Sequence, residues 1–172
     1  IYSEQGQGTT VKIYLPRIQT AELPSPETTE RKRHLPQAVA GETVLLVEDD
    51  EGVREYAVGI LQDAGYNVVP VGDGQTALRV LSGPERVDVL FTDVVLGGEL
   101  NGRQVAEEAK KIRPRLPVLF TTGYTRNAIV HHGRLDAGVN LLNKPYTSHE
   151  LTDSVRRLID RSTLFAEEES LE

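Results

Sequence analysis

The sequence contains no cysteine, so it can form neither disulfide bonds nor thiolate metal sites. No apolar run approaches the ~20 residues that a membrane-spanning helix requires, and no secretory signal peptide is recognisable at the start. We therefore expect a cytoplasmic segment that makes no membrane contact itself. The chain has no excess of positive charge: 26 acidic residues against 19 lysines and arginines give a formal net charge of -7, which argues against a general nucleic-acid-binding protein. The hydrophobic fraction of 38% is nevertheless typical of a globular protein.

The chain is predicted to begin with a β-hairpin and a linker. Residues 1–16 place Tyr2 before a Gly-rich turn, and apolar residues follow the turn at period two. A two-stranded hairpin alone is marginal in water, so this one is docked, partly disordered or cut from a larger domain. Residues 17–41 are rich in proline and show no periodicity, which predicts a flexible linker. The apolar positions after the turn are Val11, Ile13 and Leu15.

Residues 42–161 alternate short apolar runs with stretches of helical periodicity, which predicts a doubly wound α/β domain with a five-stranded parallel sheet. Thr147 and Glu150 form a capping box at the start of the last helix. The adjacent His131 and His132 are assigned to an exposed helix surface, because neighbouring helical residues do not face one site. Residues 162–172 are predicted to be an acidic tail with possible vector residues at its end. Strands are predicted at 43–47, 67–71, 87–92, 117–122 and 139–143, and helices at 52–65, 74–83, 102–113, 125–136 and from Thr147 onward.

Polar residues are predicted to gather at the carboxyl ends of the strands, where sheets of this class bind ligands. Glu48 and Asp49 follow the first strand, Asp93 ends the third, Thr122 ends the fourth and Lys144 follows the fifth. Carboxylates that lie so near one another repel unless a cation binds between them. An all-oxygen donor set favours a hard ion, Mg²⁺ or Mn²⁺. We therefore expect a metal ion and Lys144 to keep Asp93 charged.

A charged aspartate in such a site can attack phosphorus and form an acyl phosphate. Phosphoryl transfer requires positioning and positive charge around the equatorial oxygens more than covalent help from the protein. Mg²⁺ can bind one of these oxygens and Lys144 another, and the Thr122 hydroxyl with nearby backbone N–H groups can bind a third.

Each of these residues also has a purely structural interpretation. Acids between a strand and a helix often cap that helix, as we expect of Asp50 and as Glu48 and Asp49 could also do. Lys144 could be a surface lysine, and Thr122 could cap a strand end. The coincidence of these residues at four strand ends favours a functional site.

The pattern resembles the receiver domain of two-component response regulators over about residues 42–161. Four motifs carry the resemblance in the family's order and spacing: "VLLVEDD" (44–50), "VLFTDV" (89–94), "PVLFTTGY" (117–124) and "NKPY" (143–146). It implies a flavodoxin-like (βα)5 fold in which Asp93 accepts a phosphoryl group from the phosphohistidine of a histidine kinase. The implied site consists of the Mg²⁺ ligands Glu48, Asp49, Asp93 and the main-chain carbonyl of Val95, with Thr122 and Lys144 as the family's conserved hydroxyl and lysine.

The sequence departs from the family's pattern at three positions. Gly97 stands where the family often has proline, four residues after the phosphorylated aspartate. Glu48 stands where many members have aspartate. Leu141 occupies the position that often carries an aromatic switch residue, a role that Tyr146 could take over in part.

Residues 6–17, "GQGTTVKIYLPR", resemble the closing strands of the ATP-binding domain of histidine kinases. The order of kinase tail, linker and receiver resembles the C-terminal end of a hybrid histidine kinase. Without the ATP-binding boxes, this stretch is expected neither to bind ATP nor to autophosphorylate. The expected partners are a phosphohistidine domain, in cis or in trans, and a His-containing phosphotransfer protein. Because no DNA-binding domain follows Arg161, we expect phosphorelay or kinase feedback rather than transcriptional output.

Two other classes of function fit parts of this pattern. An aspartyl phosphatase of the haloacid dehalogenase type would carry a second aspartate two residues after the nucleophile, where Val95 stands. A degenerate receiver that acts only as an interaction module would not require the intact Asp93, Thr122 and Lys144.

Overall fold

The structure, a computed structural model, describes residues 2–4, 6, 8–14, 37–39, 41–123, 130–131, 134–135 and 139–169. The chain forms two compact units, Ile1–Arg33 and His34–Glu172. The predicted strand position Leu15 and most of the predicted linker, residues 17–36, lie outside the described residues.

The described part of the first unit is a β-hairpin, as its sequence predicts. Strand β1 (Tyr2–Glu4) pairs antiparallel with strand β2 (Gly8–Thr10). The second strand is shorter than predicted. Val11 and Ile13 follow it and are exposed, so their alternation does not bury an apolar face within this hairpin.

The second unit contains a five-stranded parallel sheet. Its strands are β3 (Thr43–Val47), β4 (Asn67–Val71), β5 (Val89–Asp93), β6 (Val118–Thr122) and β9 (Asn140–Asn143). Two short strands, β7 (Val130–His131) and β8 (Arg134–Leu135), pair with each other in a separate two-stranded sheet. The helices of the second unit are α1 (Glu51–Asp63), α2 (Gly74–Ser82), α3 (Gly102–Ile112) and α4 (Ser148–Glu169). The sheet has the order β4-β3-β5-β6-β9, with every neighbouring pair parallel. The predicted doubly wound, flavodoxin-like fold is thereby confirmed.

Alternate residues of each central strand pack on opposite faces of the sheet. Val44 and Leu46 pack in one core with α1 and α4, and Leu45 and Val47 pack in another with α2 and α3. We call these sides the α1/α4 face and the α2/α3 face. A strand with two buried faces must be apolar at every position, which explains the continuous apolar runs. Each buried Leu or Val contributes roughly 1.5–3 kcal/mol, so two cores hold the strand ends in place.

Side-chain caps begin the helices directly after the strand-end loops. The Asp50 carboxylate accepts a hydrogen bond from the backbone N–H of Val53 (2.9 Å), so the predicted cap of α1 is confirmed. At the start of α4, the hydroxyl of Thr147 accepts from the N–H of Glu150 and the Glu150 carboxylate accepts from the N–H of Thr147, as predicted. Within the part of the chain that the structure describes, no helix is both long and apolar enough to cross a membrane.

The helix predicted over residues 125–136 is wrong where the structure describes this segment. Strands β7 and β8 pair antiparallel there, so His131 lies in a strand and not on a helix surface. The β-branched Val130 and the Gly133 between the two strands both have low helix propensity, which favours a strand pair over a helix. His132 lies outside the described residues.

Two segment boundaries also differ from the prediction. Residues 37–39, assigned to the flexible linker, belong to the second unit, where Ala38 packs against the core and its N–H donates to the carbonyl of Ala64 (2.9 Å). Helix α4 continues past Arg161 to Glu169, so the first part of the predicted acidic tail is helical. Alanine and glutamate near the end of this helix have high helix propensity, which accounts for the extension.

Candidate functional site

The candidate site lies at the carboxyl ends of the two central strands. The chain passes from β3 to the edge strand β4 and then returns to β5 on the other side of β3, so the strand order reverses between β3 and β5. Glu48 and Asp49 directly follow β3, and Asp93 is the last residue of β5. A crevice at such a reversal is the usual ligand site of an open parallel sheet.

Lys144 joins two of the predicted acids. Its ammonium donates to the Glu48 carboxylate (Nζ–Oε2 2.7 Å) and to the Asp93 carboxylate (Nζ–Oδ2 2.6 Å). The side chains of Glu48 and Asp93 are 4% and 12% exposed, and that of Lys144 is 20% exposed. One cation therefore bridges two carboxylates in a largely desolvated place.

The pKa directions of these groups follow from burial and pairing. Burial raises the pKa of the Glu48 carboxyl, and Lys144 opposes this shift only in part. Burial alone would lower the pKa of Lys144, but hydrogen bonds to Asp93 and Glu48 outweigh it and raise the pKa. Lys144 therefore stays charged at neutral pH.

The second oxygen of Asp93 is held by the backbone. The N–H of Val95 donates to Asp93 Oδ1 (3.0 Å), so both carboxylate oxygens have a donor. The start of α3 lies directly against this loop. A Cβ atom added to Gly102 would lie 1.8 Å from the carbonyl oxygen of Asp93 and 3.0 Å from the Thr92 hydroxyl. Only glycine allows α3 to approach the phosphoacceptor candidate this closely.

Asp49 is held by a residue that departs from the family's pattern. The N–H of Gly97 donates to Asp49 Oδ2 (3.1 Å), a bond that proline could not form because it lacks the N–H. The Arg54 guanidinium donates to the main-chain carbonyls of Glu48 (2.7 Å) and Asp49 (3.2 Å) and thereby fixes the loop that carries both acids. The sequence prediction missed Arg54, although its position on the first turns of α1 was the available signal.

Thr122 ends β6 and is buried. Leu119 belongs to the core on the α1/α4 face and Phe120 to the core on the α2/α3 face, so alternation directs Thr122 to the α2/α3 side. Asp93 alternates with Phe91 on the α1/α4 side. Asp93 therefore has Lys144 on one side of the sheet, and the Thr122 position lies towards the other.

An aromatic cluster lies on the Lys144 side. The Tyr146 ring packs edge-on against Phe91 (centroids 6.2 Å apart) and near Tyr56 of α1 (6.3 Å). Burial raises the pKa of Tyr146 to about 12. Leu141, at the family's aromatic position, packs partly buried against the core of the α2/α3 face. The aromatic group of this site thus lies on the opposite face from the expected switch position.

The donor atoms fit a magnesium ion that keeps several waters. Among the described residues, no group of three or more His, Cys, Asp or Glu side chains is arranged to enclose a metal ion. Mg²⁺ does not need such a cage, because it is usually bound through one or two carboxylates and retained waters. Asp49 and Asp93 would supply these carboxylates beside the crevice, and the N–H of Gly97 holds the Asp49 carboxylate.

Comparisons with known proteins agree with this architecture. The family model described as "Response regulator receiver domain" matches residues 44–156. The sensor kinase CckA from Brucella abortus (strain 2308) is 34% identical over 165 residues, which cover 92% of this chain and 17% of the kinase. The response regulator receiver protein CpdR from the same strain is 30% identical over 116 residues, 67% of this chain and 95% of that protein.

Solved structures show the same relationship. A response regulator receiver protein from Sinorhizobium medicae WSM419 superposes with a TM-score of 0.63 at 29% identity, covering 70% of this chain and 96% of that one. The receiver domain of the hybrid histidine kinase CckA gives a TM-score of 0.57 at 29% identity, covering 68% and 98%. The family match spans well over half of the sequence and coincides with the sheet that carries Asp93 and Lys144. The chain belongs to the response-regulator receiver domain family of two-component systems.

Proposed function

We propose that this receiver takes a phosphoryl group from a phosphohistidine onto Asp93 in a Mg²⁺-dependent reaction. The observation that carries the proposal is the position of the Asp93 carboxylate, which lies at the reversal of strand order and is held by Lys144 and by the N–H of Val95. Lys144 and the N–H of Val95 orient the Asp93 carboxylate and restrict its rotation before the phosphohistidine arrives.

In the proposed step, one Asp93 carboxylate oxygen attacks the phosphorus atom of the phosphohistidine. The new O–P bond forms as the N–P bond breaks, and the electron pair of the broken bond returns to the imidazole nitrogen. The product is an aspartyl acyl phosphate and a histidine. Lys144 is placed to follow the negative charge from the carboxylate to a phosphoryl oxygen, and Thr122 is proposed to donate its hydroxyl to another.

Mg²⁺ would be held by Asp49, Asp93 and the main-chain carbonyl of Val95, with Glu48 beside them. When bound, the ion supplies positive charge that offsets the charge of the phosphoryl oxygens. The Glu48–Lys144 contact ties the lysine to the acidic loop, so Lys144 stays at the site whether or not Asp93 holds it. Mn²⁺, which also takes oxygen ligands, is expected to replace Mg²⁺.

We further propose that the domain belongs to a hybrid histidine kinase. The alignment with the sensor kinase CckA covers 165 residues, more than the receiver match at 44–156, and so includes chain outside the receiver. The partners in this proposal are a phosphohistidine domain, in cis or in trans, and a His-containing phosphotransfer protein, acting in the cytoplasm. The output would be phosphorelay or feedback on the kinase.

Intact-mass spectrometry with acetyl phosphate tests the proposal. We expect one Mg²⁺-dependent phosphoryl adduct in the wild type and none in Asp93→Asn. Asp63→Asn, which changes an exposed aspartate at the end of α1, is the matched control and should keep the adduct. An adduct that survives in Asp93→Asn would place the acceptor elsewhere. No adduct from acetyl phosphate or from the phosphohistidine of a histidine kinase would identify a degenerate receiver.

A further inference from the structure

A second buried hydroxyl lies beside Asp93. Thr121 is 1% exposed, and its hydroxyl has no hydrogen-bond partner among the residues that the structure describes. A hydroxyl that is removed from water without a partner destabilises the form in which it is unpaired. Since most buried polar side chains are paired, this one requires an explanation.

The sheet register places Thr121 against the phosphoacceptor. Asp93 and Thr121 are direct partners across β5 and β6, and neighbouring strands lie about 5 Å apart. Leu119, two residues before Thr121, packs on the α1/α4 face, and so does Phe91, two residues before Asp93. Both side chains therefore point to the same side of the sheet.

Lys144 shares this side. Thr121 is also the register partner of Leu142, which packs in the core of the α1/α4 face two residues before Lys144. Thr121 thus lies between Asp93 on one neighbouring strand and, on the other, the strand that leads to Lys144.

The acceptors near Thr121 change when Asp93 is phosphorylated. In the unphosphorylated chain, Lys144 donates to Asp93 Oδ2 and Val95 donates to Oδ1. Phosphorylation removes the carboxylate charge and adds about -1.5 to -2 charge on the phosphoryl oxygens. We expect Lys144 to follow that charge to the phosphoryl oxygens, which would leave a carboxyl oxygen of Asp93 open to another donor.

We propose that Thr121 is a second hydroxyl donor of the phosphoacceptor site, which hydrogen-bonds a carboxyl oxygen of Asp93 only after phosphorylation and so stabilises the phosphorylated form. The inference rests on the proposed function of Asp93. The proposal has a distinctive consequence: loss of the Thr121 hydroxyl should destabilise the phosphorylated chain but not the unphosphorylated chain. The unphosphorylated chain loses an unpaired polar group, whereas the phosphorylated chain loses a hydrogen bond.

Beryllofluoride, which mimics the phosphoryl group, is the probe. The affinity for beryllofluoride with Mg²⁺ is measured by NMR titration for the wild type, Thr121→Val and Thr121→Ser. We expect Thr121→Val to bind roughly tenfold more weakly, and Thr121→Ser to bind like the wild type because it keeps the hydroxyl. Without beryllofluoride, urea unfolding of Thr121→Val should show a stability equal to or above that of the wild type.

Thr152→Val is the matched control. Thr152 is fully buried in α4, and its hydroxyl already has a partner within that helix, because it donates to the carbonyl of Ser148 (2.9 Å). This variant should lose stability and keep its affinity for beryllofluoride. Affinity of Thr121→Val equal to that of Thr152→Val would overturn the inference while leaving the proposed function intact. Failure of the wild type itself to bind beryllofluoride would overturn both.

Discussion

Replacing Lys144 by methionine separates the charge of this residue from its bulk. The ammonium group contacts the Glu48 and Asp93 carboxylates at 2.7 and 2.6 Å, and both acids are nearly buried. Methionine keeps the apolar stem and leaves two carboxylates facing each other without a cation. Removal of one member of a buried ion pair usually costs about 3–5 kcal/mol of folding free energy.

Proton uptake by Glu48 limits this loss. Burial already raises the pKa of Glu48, and the variant can relieve the repulsion by protonating this acid. From the usual pKa of 4.5, protonation at pH 7 costs about 3 kcal/mol, at about 1.4 kcal/mol per pH unit. At pH 5 the same step costs less than about 1 kcal/mol. We therefore expect Lys144→Met to be about 3 kcal/mol less stable than the wild type at pH 7 and less than about 1 kcal/mol less stable at pH 5.

Urea unfolding followed by circular dichroism at both pH values measures this difference. The double variant Lys144→Met/Glu48→Gln is the control, because it lacks the acid that takes up the proton, and its stability should be close to the wild type at both pH values. A stability deficit of equal size at pH 5 and pH 7 would refute the electrostatic explanation and assign Lys144 a packing role. The single variant should also accept phosphoryl groups more slowly than the wild type.

Two further predictions concern packing and pH. Gly102→Ala should destabilise the fold by about 3 kcal/mol or more in urea unfolding, because the new Cβ would lie 1.8 Å from the Asp93 carbonyl oxygen. Gly59→Ala, where a Cβ meets nothing within 4 Å, is the control, and equal stability of the two variants would contradict the prediction. Because the folded pKa of Tyr146 is about 12, above the usual value of 10.0, stability falls as the pH rises from 10 to 12. Tyr146→Phe should retain more of its stability over this range. A pH profile identical to that of the wild type would show that Tyr146 does not cause the loss.

Local pattern predicted most of the sheet. The three central strands are fully buried and mostly apolar, as strands with two buried faces require. The observed bounds of all five parallel strands differ from the predicted ones by at most two residues. The helix prediction for residues 125–136 was wrong because the weak helical periodicity of this segment competes with β-branched residues and a glycine. Helix α4 exceeded its predicted end because helix propensity continues after the apolar stripe has stopped.

The candidate site was predictable only as a set of strand ends. Glu48, Asp93 and Lys144 were predicted because the carboxyl ends of parallel strands meet at one edge of the sheet. In the structure Lys144 contacts both of the acids. The contacts of Arg54 and the position of Thr121 opposite Asp93 were missed, because they depend on which backbone carbonyls and which register partners these residues meet. Neither property is encoded in the spacing of residues along one strand or helix.

The sequence by itself determined the alternation of strands and helices and the chemical types of the residues at each strand end. Only the tertiary structure decided that Lys144 lies against Glu48 and Asp93, which are 96 and 51 residues away along the chain. It also decided that Thr121, and not Thr122, shares the face of Asp93. The physical reason is that periodicity reports whether a residue is buried, whereas strand order and register, set by packing of the whole sheet, decide which residues become neighbours.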